Sequence, residues 1–310
     1  MAVRQLAVFA LILNALVWGV SWWPLRALGR AGLDSLWATS LVYCGCLAAL
    51  GVRGWAMRTH SPSAAGRGGW VAGAHGRAGR ASLLAVALAA GTTNACFNWA
   101  VSTGDVVRVV LLFYLMPLWS MLLARVWLGE PLRWSAGGRA ALALIGAALV
   151  LAPGGAGLPV PRGLPEWLGL TGGAAFAATN VLLRGAAGRP ATHLAAAMFA
   201  GGALVPGLLA AVLSVSGALH WPPAPSMGWL AGLAGLSVAF LAGNLALQYG
   251  AARLPAATTS VVMLTEVVFA TVSAVLLGAA GWSAATLTGG ALILASAAWA
   301  ARPETAPRPA

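Results

Sequence analysis

The chain contains no lysine, only six acidic residues and three cysteines in 310 positions. Charged residues make up 8 % of it and hydrophobic ones 60 %, which leaves too little polar side chain to clothe a soluble globule of this length. A soluble enzyme is thereby disfavoured and a membrane protein expected. Without lysine there is no phosphate-loop lysine, and the glycine-rich GAHGRAG stretch at 73–79 follows no strand, so it is not a nucleotide motif. His60, His75, His193 and His220 fall in or near loops with no second ligand at metal spacing. No nucleophile, base and orienting group assemble from spacing, so neither catalysis nor a metal or cofactor is expected. Cys44 and Cys46, two apart on an apolar stretch, point in different directions. With Cys96 they read as buried thiols.

What is present is a series of long apolar runs. A hydrocarbon core about 30 Å thick needs about 20 apolar residues per helix. Ten such runs lie near 6–25, 36–55, 82–101, 106–128, 136–152, 166–184, 192–214, 227–249, 256–278 and 283–301, the sixth and eighth being the least hydrophobic. The first leads into WWPLRALGR rather than a cleavage site, so it reads as a retained helix. The fold class expected is an all-α integral membrane protein with ten transmembrane helices.

The net charge of +12 is carried wholly by arginine. If the N-terminus lies in the cytoplasm, fourteen arginines fall on the inner side (4, 53, 58, 67, 77, 80, 125, 133, 139, 184, 189, 253, 302 and 308) and four outside (26, 30, 108 and 162). That bias follows the positive-inside rule and sets both termini in the cytoplasm. The excess charge is then a topology signal and an attraction to anionic lipid, and no nucleic-acid partner is expected.

An internal repeat is legible. NACFNWAVSTGD, from Asn94, aligns with NLALQYGAARLP, from Asn244, at an offset of 150: Asn94 with Asn244, Asn98 with Gln248, Trp99 with Tyr249. LFYLMPLWSMLLARVWLGE aligns with VVMLTEVVFATVSAVLLGA at 149, which sets Pro117 against Glu266. WGVSWWPLRALGR meets FAATNVLLRGAAGR, matching Trp18 to Phe176, Ser21 to Thr179 and Arg26 to Arg184. Five helices per copy is odd, so the copies enter the membrane from opposite sides. The expectation is a pair of inverted five-helix repeats (5+5), residues 1–155 and 156–303, with a short cytoplasmic tail at 304–310. Inverted repeats open a cavity alternately to either face.

The five-plus-five arrangement, PLWSMLLARVWLGEPL closing the fourth helix and GGRAALALIGAALVLAP in the fifth resemble the EamA-type members of the drug/metabolite transporter superfamily, over nearly the whole chain. The resemblance implies transport of a small metabolite, often export of an amino acid or related compound, across the bacterial inner membrane. In one place the copies depart: the first keeps Leu128-Gly129-Glu130 and the second reads Leu277-Gly278-Ala279. If the glutamate caps or pairs, the two ends will not behave alike.

Polar and aromatic side chains recurring at helical spacing should face the protein interior rather than lipid. The first helix offers Asn14, Trp18, Ser21 and Trp22, and the sixth Phe176, Thr179 and Asn180. The third offers Asn94, Asn98 and Trp99, and the eighth Asn244, Gln248 and Tyr249. The fourth adds Tyr114 and Ser120 around a helix break at Pro117, the ninth Thr259, Met263, Glu266 and Ser273. Read as a cavity, this lining suits an amphipathic small-molecule substrate. Read as scaffold, Asn and Gln only cross-link neighbouring helices, at about 0.6 kcal/mol per bond. Tryptophans near predicted helix ends, Trp55, Trp70, Trp167, Trp221, Trp229, Trp282 and Trp299, read as interfacial belt residues, and Gly169 with Gly173 and Gly228 with Gly232 as helix packing contacts. Asp105 pairs plausibly with Arg108 one turn on.

Glu266 stands apart. A charged carboxylate at the bilayer centre costs about 2.5–3.5 kcal/mol, so it needs a proton, a partner or water. It is the candidate for proton coupling. The rival is structural, a protonated Glu266 bonded to a backbone carbonyl at an irregular turn. For the whole chain the alternative to a transporter is a non-transporting membrane protein, an embedded enzyme or assembly partner on the same scaffold.

Overall fold

In the computed structural model, residues 2–60, 77–104, 106–151, 161–278 and 281–302 are described. They form twelve helices: α1 (Ala2–Arg30), α2 (Ser35–His60), α3 (Arg77–Thr103), α4 (Val106–Phe113), α5 (Met116–Leu128), α6 (Trp134–Leu151), α7 (Leu164–Gly185), α8 (Ala191–Val215), α9 (Met227–Ala251), α10 (Ala256–Met263), α11 (Thr265–Leu276) and α12 (Ala284–Ala301). Two pairs, α4 with α5 and α10 with α11, are single spans interrupted midway, so ten segments remain, as expected. Among the described residues nine are long and apolar enough to cross a membrane. The tenth, α7, is the sixth of the expected runs. The eighth, α9, is not weak as expected: its mean hydropathy is 1.8, against 1.2 for α3.

Helices are what this composition must form in lipid, where each backbone N–H and C=O has to be satisfied within its own segment. On α1, Leu6, Phe9, Leu13, Leu16 and Val20 recur at steps of three and four and all stay exposed. That stripe faces hydrocarbon. The opposite face, Ala7, Leu11, Asn14 and Ala15, is fully buried. With so little hydrophobic drive between helices in lipid, close backbone approach holds them together. Gly146 and Gly289 lie against each other's carbonyls where α6 meets α12, and a Cβ on Gly201 would come within 1.8 Å of the Ala87 carbonyl where α8 meets α3. Elsewhere α3 also packs on α7, α9 on α1 and α2, α2 on α8, α1 on α11 and α5 on α7.

The two interruptions share one geometry. Leu115 N–H bonds to Leu112 C=O and Leu118 N–H to Leu115 C=O, while Leu264 N–H bonds to Val261 C=O and Val267 N–H to Leu264 C=O. Each break is bridged by tight three-residue steps, at positions 149 apart. The break precedes Pro117 rather than falling on it: Pro117 and Glu266 are both the second residue of the helix that restarts. A first turn has N–H groups without intrahelical acceptors. Proline has none to leave unpaired, and an acid is favoured beside those that remain. At the far end of these spans Gly129 and Gly278 take φ of 67° and 70°, the left-handed region glycine enters without strain.

Some expectations are corrected. Cys44 is exposed on the bundle surface, since only Cys46 turns inward, onto the Ser237 carbonyl. Trp229 is buried and donates to the Ala224 carbonyl at 3.1 Å, whereas Trp167, Trp221, Trp282 and Trp299 are exposed. Gly169 and Gly173 do admit α4, against Val109 and Phe113, but Gly228 touches nothing within 4 Å. Arg108 pairs with Glu166 at 2.8 Å. Asp105, His75, Trp70, Ala279 and the tail from 303 lie outside the described residues, as do the side chains of His60 and Trp55.

The glycine contacts give a direct test. Gly201→Ala should lower the melting temperature in detergent by about 2–10 °C, the effect of overpacking. Gly137→Ala, where a Cβ meets nothing within 4 Å, should leave it unchanged or slightly raised.

Candidate functional site

Midway through the bundle, at the level of both breaks, lies a narrow cavity of about 30 Å³, room for water but not for an organic solute. Its lining is Trp18 from α1, Thr93, Asn94 and Phe97 from α3, Phe113 and Met116 from either side of the first break, Phe176 from α7, and Met263 and Glu266 from either side of the second. The rings interlock: Phe97 and Phe113 are 4.6 Å apart between centroids, and Phe113 lies 6.0 Å from Phe176. Trp18 stacks at 4.7 Å on Phe240 outside the cavity. Glu266 is the one ionisable side chain among the described lining residues. The Tyr114 hydroxyl, itself buried, donates to its carboxyl.

Phe113 and Met116 flank the first break and Met263 and Glu266 the second, so residues beside both breaks share one cavity. Gly19 lets α1 approach there: a Cβ on it would lie 2.7 Å from the Glu266 carbonyl.

Of the residues singled out in the sequence, Trp18, Asn94, Phe176, Met263 and Glu266 line the cavity and Tyr114 borders it. The others lie away from it, and of these Asn14 and Thr259 make no side-chain hydrogen bond. Asn14 is fully buried beside Gly243, with neither amide atom hydrogen-bonded. Ser21 donates to the Trp18 carbonyl and Trp22 Nε1 to Ser273 Oγ at 2.9 Å. Asn98 donates to Thr39 at 2.6 Å, and Gln248 to the Ala191 carbonyl at 2.7 Å. Thr179 bonds its own helix at Ala175, and Asn180 reaches Ser260 at 3.3 Å. Trp99 packs on a small satellite core of Leu36, Ala95 and Ala210. Tyr249 lies under the Arg253 guanidinium at 3.6 Å. Thr93, Phe97, Phe113 and Met116 were missed. Thr93 and Phe97 sit one before Asn94 and three after it, and helical spacing from Asn94 would have found Phe97.

Asn94 and Asn244, aligned in the repeat, meet through one residue from neither copy of the motif. Tyr43 Oη donates to Asn94 Oδ1 at 3.2 Å and accepts from Asn244 Nδ2 at 3.3 Å. The scaffold reading thus describes Asn244, while Asn94 serves both scaffold and cavity wall.

A bundle of apolar helices of membrane-spanning length, interrupted twice beside a central cavity, defines a multi-pass membrane protein. Residues 5–152 match the EamA-like transporter family, so the first half of the chain is similar to the members of that family. One solved crystal structure, titled only as that of a protein, is similar in fold, with a TM-score of 0.72 and 20 % identity over 95 % of this chain and 96 % of its own. No curated protein matches the sequence.

Tyr43→Phe should leave Asn94 Oδ1 without its donor, while Asn244 Nδ2 loses one of its two acceptors and keeps the Phe240 carbonyl at 2.8 Å. At about 0.6 kcal/mol per bond and at most near 1.7, a loss of about 1–3 kcal/mol is expected on unfolding in mixed micelles. No change would show that Tyr43 only packs.

Proposed function

We propose that this protein is a secondary transporter that moves a small amphipathic metabolite, an amino acid or related amine, out across the bacterial inner membrane by alternating access. The observation that carries the reading is the central cavity set between two equivalent helix breaks. Interrupted helices at membrane depth are tolerated where they line a cavity, and in transporters they build the substrate site at the repeat interface. Matching bonds at Leu112, Leu115 and Leu118 and at Val261, Leu264 and Val267 support two inverted five-helix repeats, 1–155 and 156–303. The contacts of α3 with α7 and α8 and of α9 with α1 and α2 support the same exchange. The arginine bias supports cytoplasmic termini.

The lining favours one kind of substrate within that class. A carboxyl with aromatic walls and no cationic side chain among the described lining residues suits a positive charge on an apolar body. A substrate carboxylate would find no cationic partner among them. Glu266 can serve such a cycle as proton carrier, with proton and cation occupying its carboxyl in turn. The non-transporting alternative has no observation in its favour beyond the small size of the cavity in this closed conformation.

Purified protein in liposomes should show counterflow of at least one compound from a panel of amino acids, their amides and amphipathic amines; no flux of any would overturn the transporter reading. In Glu266→Gln, proton-driven uptake should fall to background, while counterflow, which needs no proton, should persist at a rate reduced by the loss of the cation's carboxylate partner. Proton-driven flux at the unsubstituted rate would remove Glu266 from coupling.

A further inference from the structure

On one side of the cavity α5, α7 and α10 converge in a sequence of layers. Met116, Phe176 and Met263 form the cavity floor. One helical turn beyond each lie Ser120, Asn180 and Ser260, all fully buried. The two hydroxyls hydrogen-bond each other, and Asn180 Nδ2 donates to Ser260 Oγ. Next come Ala124, Val181 and Ala256, a packed apolar cluster edged by Leu123 and Leu128. Last is Arg184, 3.6 Å from Glu130 and donating to the Ala252 carbonyl at 3.1 Å.

The polar layer is odd where it stands. Asn180 Oδ1 has no hydrogen-bond partner, nor have the adjoining Thr258 and Thr259 hydroxyls. Buried acceptors left unpaired are costly, most of all in lipid, and a permanently dry helix seam is better made of alanine and leucine, as the next layer is. Polar atoms there become favourable once the seam is wet.

The other mouth is held differently. Trp22 donates to Ser273, and the Arg26 guanidinium lies 5.2 Å over the Trp22 ring. The position matching Glu130 is Ala279, so no acid can close that end as Glu130 closes this one.

We propose that Ser120, Asn180 and Ser260 line the arginine-rich, cytoplasmic half of the substrate path. In this conformation the path is shut by their mutual hydrogen bonds, the Ala124–Val181–Ala256 plug and the Glu130–Arg184 ion pair, and it fills with water when α5 and α10 part. This rests on the transporter reading above.

The test is sided thiol labelling. Ser260→Cys is made in a chain with Cys44, Cys46 and Cys96 replaced by alanine, and treated in right-side-out and inside-out vesicles with the impermeant reagent trimethylammonioethyl methanethiosulfonate. Reaction is expected from the cytoplasmic side alone. Adding Glu130→Gln should raise its rate about two- to fivefold, the worth of a part-exposed ion pair. Reaction from the other side, reaction from neither side, or a rate indifferent to Glu130→Gln overturns the proposal. Should Ser260→Cys fail to fold, Ser120→Cys is labelled in its place with the same outcomes; where both fold, the pair is oxidised to a disulfide, which the paired hydroxyls place within reach. The bridge should stop counterflow and its reduction restore it, whereas unchanged counterflow through the bridged protein overturns the gate. Absence of counterflow in the unsubstituted protein would instead strike at the transporter reading, leaving the labelling result separately readable.

Discussion

In a bilayer a helix can be broken only where protein covers the break, and that constraint organises this molecule. At Leu115 and Leu264 the regular bonding gives way to tight three-residue steps, and each step must be buried because no water reaches it from the lipid side. Leu264 is fully buried, and Tyr114 and Met116 nearly so. The helices that cover the breaks are thereby drawn around one point, and the cavity is what lies between them. Pro117 and Glu266 answer the same local problem, the unpaired N–H groups of a restarting helix, with different chemistry. Only the glutamate adds a group that can carry a proton.

Around this centre the amides divide their labour. Asn98, Gln248 and Asn244 fasten helices to one another through Thr39, Ala191 and Tyr43, so the polar residues that looked most like a binding site are largely the frame that holds one. The cavity wall itself is mainly apolar, four aromatic rings and two methionines, with Glu266 and Asn94 as its strongest polar groups. This division follows from energetics: a side-chain bond between helices is one of few attractions available in lipid, whereas a site that must release its ligand cannot commit its lining to permanent partners.

The two ends of the bundle are held by unequal contacts. Glu130 with Arg184 makes an ion pair at one mouth, while Arg26, aligned with Arg184, stacks on Trp22 at the other. Each arginine stands at a helix end, too far from the cavity centre to serve Glu266, whose polar neighbour is Tyr114 instead.

The sequence by itself determined the number of apolar segments, the matching of their halves and the anomaly at Glu266, because hydropathy and backbone demand in lipid act locally and leave a periodic trace. It also marked Trp18, Asn94, Phe176 and Met263 as facing inward. What it could not resolve was which inward-facing polar group meets which. Asn94 and Asn98 are four apart on one helix, yet one borders the cavity and the other is tied to Thr39. Tyr43 left no mark in the repeat although it joins Asn94 to Asn244, and Phe97, Phe113 and Met116 carry no polar group to single them out. Those assignments depend on how glycines such as Gly19, Gly173 and Gly201 let particular backbones approach, and on the turn each break imposes. Both are set between helices distant in sequence, so only the tertiary structure decided them.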